Sequence, residues 1–206
     1  MGYYETVLES SGRSFQDLFA SVAARDVANA LDCDSETEDR LIALLAPAAE
    51  SRLEDMAQKA NFLTLRHFGR TIQLYTPVYL SNFCDNQCVY CGFNTKNPSS
   101  RRRLTPEEVE REARAISSHG IEHVLVLTGD SRTQSPVSYI LDCLRILRGF
   151  FSSVSFEIYA LTQPEYEGLV REGADGLTIY QETYDESAYA RMHLAGPKKD
   201  YRFRLD

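Results

Sequence analysis

His123-Val124-Leu125-Val126-Leu127 runs without a break into Thr128-Gly129-Asp130. A short, continuous apolar run of this kind suits a strand buried in a parallel sheet, and the small polar turn behind it ends the strand. Upstream, Thr105-Pro106-Glu107-Glu108 joins an N-cap threonine, a proline at the first helical position and acids in the first turn. The helix it starts is predicted to run to His119, with Gly120 as its stop. Downstream, residues 137–148 read as a second helix, 154–159 as a strand, 164–172 as a helix and 176–180 as a strand, with another helix from about Asp185. Before all of these, residues 71–80 are β-branched and aromatic and read as the first strand. Strand and helix alternating at this short period imply right-handed βα crossovers and a parallel sheet. The fold class is α/β, with about four βα units before Asp206. A closed eight-unit barrel takes roughly 250 residues, so the sheet is expected to be open or part of something longer.

The first third is different. Apolar residues recur at helical spacing from Ser14 to Leu31, and again from Ala48 to His67. Residues 1–70 are therefore expected to form a helical extension, and residues 71–206 the N-terminal part of a (β/α) barrel. The chain has 206 residues and a net charge of −8, so no broad basic face for nucleic acid is expected. Arg101-Arg102-Arg103 reads as a solvated turn. No apolar run approaches the ~20 residues a membrane helix needs. The N-terminus lacks the apolar core of a signal peptide, and a cytoplasmic, reducing location is the expectation.

Polar groups at the carboxyl ends of parallel strands gather on one rim. Gly129-Asp130, Glu157 and Gln181-Glu182 are expected there, together with the segment that follows the first strand, Asn82-Phe83-Cys84-Asp85-Asn86-Gln87-Cys88-Val89-Tyr90-Cys91. Cysteines this close usually share a metal centre. Three readings are open on spacing alone. A structural zinc would want a fourth ligand near by. A redox dithiol would need only Cys88 and Cys91 and would leave Cys84 unexplained. An iron–sulfur cluster on three thiolates would leave one iron for an outside ligand. Of the remaining cysteines, Cys143 reads as a small core residue of its helix, and Cys33 carries no signal.

The segment Cys84-x3-Cys88-x2-Cys91, with Tyr90 before the third cysteine, resembles the signature of radical S-adenosylmethionine enzymes. Leu44-Leu45-Ala46-Pro47-Ala48-Ala49, Tyr79-Leu80-Ser81-Asn82, Cys91-Gly92-Phe93, Leu127-Thr128-Gly129, Tyr180-Gln181-Glu182-Thr183-Tyr184 and Tyr189-Ala190-Arg191 are similar to the tyrosine lyases of thiamine synthesis, the 2-iminoacetate synthases. The resemblance implies a TIM-type barrel, present here in part. It implies a 4Fe–4S cluster on Cys84, Cys88 and Cys91, with S-adenosyl-L-methionine on the fourth iron. It implies a 5′-deoxyadenosyl radical that takes hydrogen from L-tyrosine, whose Cα–Cβ bond then breaks to p-cresol and dehydroglycine (2-iminoacetate). By the same resemblance Tyr90 packs on the adenine and Thr128-Gly129-Asp130 receives the methionyl ammonium, where many relatives carry Glu instead of Asp130. Glu157 and Glu182 are candidates for ribose hydroxyls or the substrate ammonium, and Arg191 for the methionyl carboxylate. The implied partners are a flavodoxin or ferredoxin as electron donor and the thiazole synthase subunit. The tyrosine-cleaving maturase of iron–iron hydrogenase is a near relative sharing this half.

The resemblance stops within Tyr201-Arg202-Phe203-Arg204-Leu205-Asp206, where a fifth strand is expected to begin. A barrel lacking its C-terminal half leaves the fourth strand as an exposed edge and the site open to water and oxygen. The expectation is poor cluster binding and little turnover by these 206 residues alone. The alternative is an inactive truncated homologue that at most binds a cluster, other metal or a partner.

Overall fold

Four parallel strands carry the C-terminal unit: β1 (Tyr75–Ser81), β2 (His123–Thr128), β3 (Ser153–Glu157) and β4 (Gly176–Leu177), side by side in the order β1-β2-β3-β4. The computed structural model describes residues 2–10 and 12–206. They divide into residues 8–72 and a second unit made of residues 73–206 with residues 2–7. The helices are α1 (Tyr3–Ser10), α2 (Phe15–Ala20), α3 (Ala24–Asp32), α4 (Glu38–Leu45), α5 (Leu53–Phe68), α6 (Pro106–Ser117), α7 (Val137–Leu147), α8 (Gln163–Arg171), α9 (Glu186–Met192) and α10 (Tyr201–Leu205). Among the described residues no helix is long and apolar enough to cross a membrane.

In the C-terminal unit α6, α7 and α8 cover one sheet face. Val78 and Leu80 of β1, Val124 and Val126 of β2, and Val154 and Phe156 of β3 meet Val109, Ala113, Ile140, Leu144 and Leu169 in one buried core. Cys143 belongs to that core, and burial pushes its thiol up to about 11. Strand side chains alternate between faces, so Leu125 and Leu127 point the other way and are only half-buried. The two-sided burial expected of the β2 run is thus realised on its helix side.

Several boundaries move, each for a physical reason. β1 starts at Tyr75, opposite His123 where β2 begins, so residues 71–74 have no partner strand. β4 pairs through Gly176 with Ser155 and Leu177 with Phe156. This register leaves one β3 residue, Glu157, beyond the last pair, so the predicted five-residue strand shortens to two. Where a fifth strand was expected to begin, the chain instead forms α10, capped by Asp200, whose carboxylate accepts from the Phe203 amide at 3.0 Å. The Thr105 cap forms with its capping box, since Glu108 returns a bond to the Thr105 amide at 2.9 Å.

Residues 8–72 pack α2 to α5 around Val27, Leu31 and Ala49. The predicted helix from Ser14 to Leu31 breaks at Ser21, and the chain restarts in α3. The predicted helix over 48–67 opens as a 3-10 turn at Pro47–Arg52. Arg52 leaves helical geometry (φ −115°, ψ 16°), and α5 begins behind it. Lys59 ties α5 to the end of α3 by donating to the carbonyls of Leu31 and Cys33.

Candidate functional site

At the carboxyl ends of the strands lies a cleft of about 560 Å³. Each strand delivers part of its wall: the cysteine loop after β1, Thr128-Gly129-Asp130 at the end of β2, Glu157-Ile158-Tyr159 at the end of β3, and Thr178-Ile179-Tyr180 with Glu182, but not Gln181, after β4. Cys84, Cys88, Tyr90, Cys91, Gly129, Asp130, Glu157 and Glu182 all line it. Arg191 does not. It is exposed on α9 and donates to Ser187 Oγ at 3.2 Å, the arrangement of a solvated helix arginine. The arginine that reaches the cleft is Arg204, on α10.

The cysteine loop is held from several sides. The Asp85 amide donates to the Asp130 carbonyl at 2.8 Å, and the Gly129 amide to the Ser81 carbonyl at 2.8 Å. Gly129 sits so close to the loop that a Cβ there would stand 2.2 Å from the Phe83 carbonyl oxygen. On the other flank Gln87 donates to Ala195 at 2.9 Å and Val89 to Met192 at 3.0 Å, so the loop pairs with the chain just beyond α9. Gly196 takes φ 95°, and a Cβ there would meet Asn86 Oδ1 at 2.4 Å. Asn94 and Asn97 donate from their side chains to the carbonyls of Cys88 (2.9 Å) and Cys91 (3.2 Å). The Arg101-Arg102-Arg103 run is not a free basic turn. Arg101 enters the loop, Arg102 pairs with Glu108, and Arg103 lies over the Tyr139 ring at 4.9 Å.

Cys88 is buried while Cys84 and Cys91 are half-buried. Burial pushes the Cys88 thiol up, and the Lys198 ammonium works against this. Among the described residues no three His, Cys, Asp or Glu side chains are placed to hold a single metal ion.

The polar wall is one connected network. The Tyr90 hydroxyl lies 2.8 Å from Glu182 Oε1 and 2.7 Å from His193 Nε2. His193 is fully buried and stacks on Tyr189 at 3.8 Å, with Nδ1 2.8 Å from the Tyr189 carbonyl. A carbonyl only accepts, so Nδ1 carries the proton; in the neutral ring that burial favours, Nε2 can only accept, and it competes with Glu182 for the single proton of the Tyr90 hydroxyl. Glu182 also takes the Lys198 ammonium on Oε1, and it stands at φ 64°. It is the one non-glycine residue among the described residues with positive φ, a costly backbone state that these bonds hold in place. Asn86 donates to Asp130 Oδ2 at 2.8 Å and accepts from the Lys198 amide at 2.8 Å. Burial raises both Asp130 and Glu157; Asn86 opposes it at Asp130, and Lys198 at Glu157. Thr128 Oγ1 and Arg204 Nε, on two cleft-lining residues, are buried without a protein partner. Unsatisfied buried donors and acceptors are costly, so these two suit a polar ligand. Asn86, His193, Lys198 and Arg204 were not singled out from sequence. Asn86 sits between two of the cysteines and was the most legible of them.

A half-open parallel βα sheet, with three cysteines on the loop behind its first strand, defines a class. The Radical SAM superfamily model matches residues 78–206, and the chain belongs to that superfamily. Within it, the chain is 44% identical over 183 residues to 2-iminoacetate synthase of Escherichia coli (strain K12), covering 89% of this chain and 48% of that protein. Among solved structures it is similar to HydG, a maturase of the [FeFe]-hydrogenase, with TM-score 0.80 and 27% identity over 98% of this chain and 45% of that one. Methylornithine synthase shares the fold, with TM-score 0.65 at 21% identity, over 93% of this chain and 53% of that one. The chain spans about half the length of the curated relatives it matches (48% of the 2-iminoacetate synthase).

Proposed function

We propose that this chain is the cluster-bearing part of a tyrosine lyase. Cys84, Cys88 and Cys91 would hold a 4Fe–4S cluster, and the rest of the rim would hold S-adenosyl-L-methionine. The observation that carries the reading is the set of three thiols on one braced loop, lining a cleft with buried unpartnered polar groups, in a chain 44% identical to a 2-iminoacetate synthase. Bound there, the cluster would supply an electron to the sulfonium of S-adenosylmethionine, and the radical released would take a hydrogen from L-tyrosine and lead to p-cresol and 2-iminoacetate for the thiamine thiazole.

The chain's own residues are assigned as follows. Arg204, with its unpartnered Nε, is the cation for a carboxylate, the role first sought at Arg191. Asp130, oriented by Asn86, accepts from an ammonium. Tyr90 offers a ring half-exposed to the cleft, and its hydroxyl lies between Glu182 and His193, so the ring can serve as a flat wall for an adenine. Glu157 and Glu182 are left for hydroxyl or ammonium groups. A flavodoxin or ferredoxin would donate the electron, and the thiazole synthase subunit would receive the product.

Anaerobic reconstitution with iron and sulfide, then assay with reductant, S-adenosylmethionine and tyrosine, tests this. Deoxyadenosine together with p-cresol is expected from the protein that carries this chain. A fully loaded cluster that yields neither product contradicts it. One observation favours a second reading, the hydrogenase maturase, namely the TM-score of 0.80 to HydG. The higher identity to the synthase, 44% against 27%, supports the lyase of thiamine synthesis as the first reading. Adding the thiazole synthase subunit and following thiazole formation separates the two.

A further inference from the structure

Arg101 is the one member of the Arg101-Arg102-Arg103 run whose guanidinium turns into the cysteine loop. Its Nη1 donates to the carbonyls of Asn82 (2.7 Å) and Phe93 (3.1 Å), and its Nη2 to the carbonyl of Asn94 (2.7 Å). Asn82 stands just before Cys84, and Phe93 and Asn94 stand just after Cys91. One planar group therefore joins the two limbs of the loop that carries all three thiols. Around it the closure is reinforced by Asn82, whose side chain donates to the Ser100 carbonyl (2.8 Å) and accepts from the Arg102 amide (2.7 Å).

We propose that Arg101 is a clasp that holds the cysteine loop in its ligand-ready form before any metal arrives, and is thus a positioning residue for the cluster. The loop has little regular secondary structure of its own between Ser81 and Pro106, so its order comes from bonds of this kind. Three carbonyls in fixed directions are matched by the forked donors of a guanidinium; an ammonium would bring the same charge without the fork. The partners are neutral carbonyls, so geometry rather than charge pairing is the function. Arg102 and Arg103 carry the same charge at the next two positions and are spent on Glu108 and on Tyr139 with the Gln134 carbonyl.

The inference rests on reading the three cysteines as ligands, but the clasp can be tested without metal. Amide hydrogen exchange of residues 83–94 is measured in the metal-free protein with Arg101→Gln, Arg101→Lys and Arg102→Gln. Iron release to a chelator is then timed in the reconstituted proteins. Both Arg101 variants are expected to exchange and to release iron about tenfold faster, through loss of several loop bonds. The amides of β2 should keep the parent rate, and Arg102→Gln should match the parent throughout. Parent-like loop exchange and iron release in Arg101→Gln would overturn the clasp, as would full rescue of both by Arg101→Lys. A parent protein that takes up no iron would sink the proposed function instead and leave the exchange arm to decide the clasp.

Discussion

Gly129 is the tightest single position at the rim. A methyl group there would meet the backbone of Phe83 at 2.2 Å and Cys84 Cβ at 3.1 Å, and neither is the free end of a flexible side chain. Gly129→Ala should therefore push the loop off the β2 turn, at a cost of about 1–3 kcal/mol. Iron taken up per chain on reconstitution should fall with it; a variant as stable and as readily loaded as the parent would contradict the contact. Away from the site, Glu165 accepts from Arg132 at 2.6 and 3.1 Å and from Thr162 at 2.8 and 2.9 Å, which holds its carboxyl down at about 2. Its folded pKa is lower than its unfolded value of about 4.3, so its stabilisation is full above that value and is lost as pH falls toward 2. Glu165→Gln should lose about 1–2 kcal/mol at pH 7 by urea titration, and the difference should close between about pH 4.3 and pH 2. A difference that persists below pH 2 would contradict this assignment.

Elements that announce their own ends were legible in the sequence. α6 has its N-cap, proline and acids in line, and it begins at Pro106 behind Thr105. Thr105→Ala should cost about 1 kcal/mol in thermal or urea unfolding, as the loss of a capping box usually does. Elements bounded by a partner were not legible. The start of β1 and the brevity of β4 follow from where β2 and β3 begin and end. α10 lies where the resemblance stops and a fifth strand was expected to begin, because Asp200 caps a turn that periodicity does not record. The same division runs through the site. The three cysteines and the strand-end residues Asp130, Glu157 and Glu182 could be placed by counting along strands. Arg204, Lys198 and His193 come from segments after β4 whose approach to the rim depends on tertiary contact. Spacing alone could not say that Tyr189 and His193 turn inward while Arg191 stays in water.

At the scale of the whole molecule, the C-terminal unit recruits residues 2–7 from the far end of the chain. The Tyr4 amide donates to Asp206 Oδ1 at 2.9 Å, and Arg202 pairs with Glu5 at 2.7 Å beside the Tyr4 ring. These contacts brace α10, the helix that delivers Arg204 to the cleft. The proposed lyase needs the three thiols of the braced loop to act as a unit with an open fourth position. The most direct test is anaerobic reconstitution of the parent and of Cys84→Ala, Cys88→Ala and Cys91→Ala, with iron counted and electron paramagnetic resonance recorded before and after S-adenosylmethionine is added. The parent, taken as the whole protein that carries this chain, should bind about four irons at this site with a reduced signal that changes when S-adenosylmethionine is added, and each variant should lose most of that iron. Full iron content in any one variant, or a parent that takes zinc and no iron, would contradict the account.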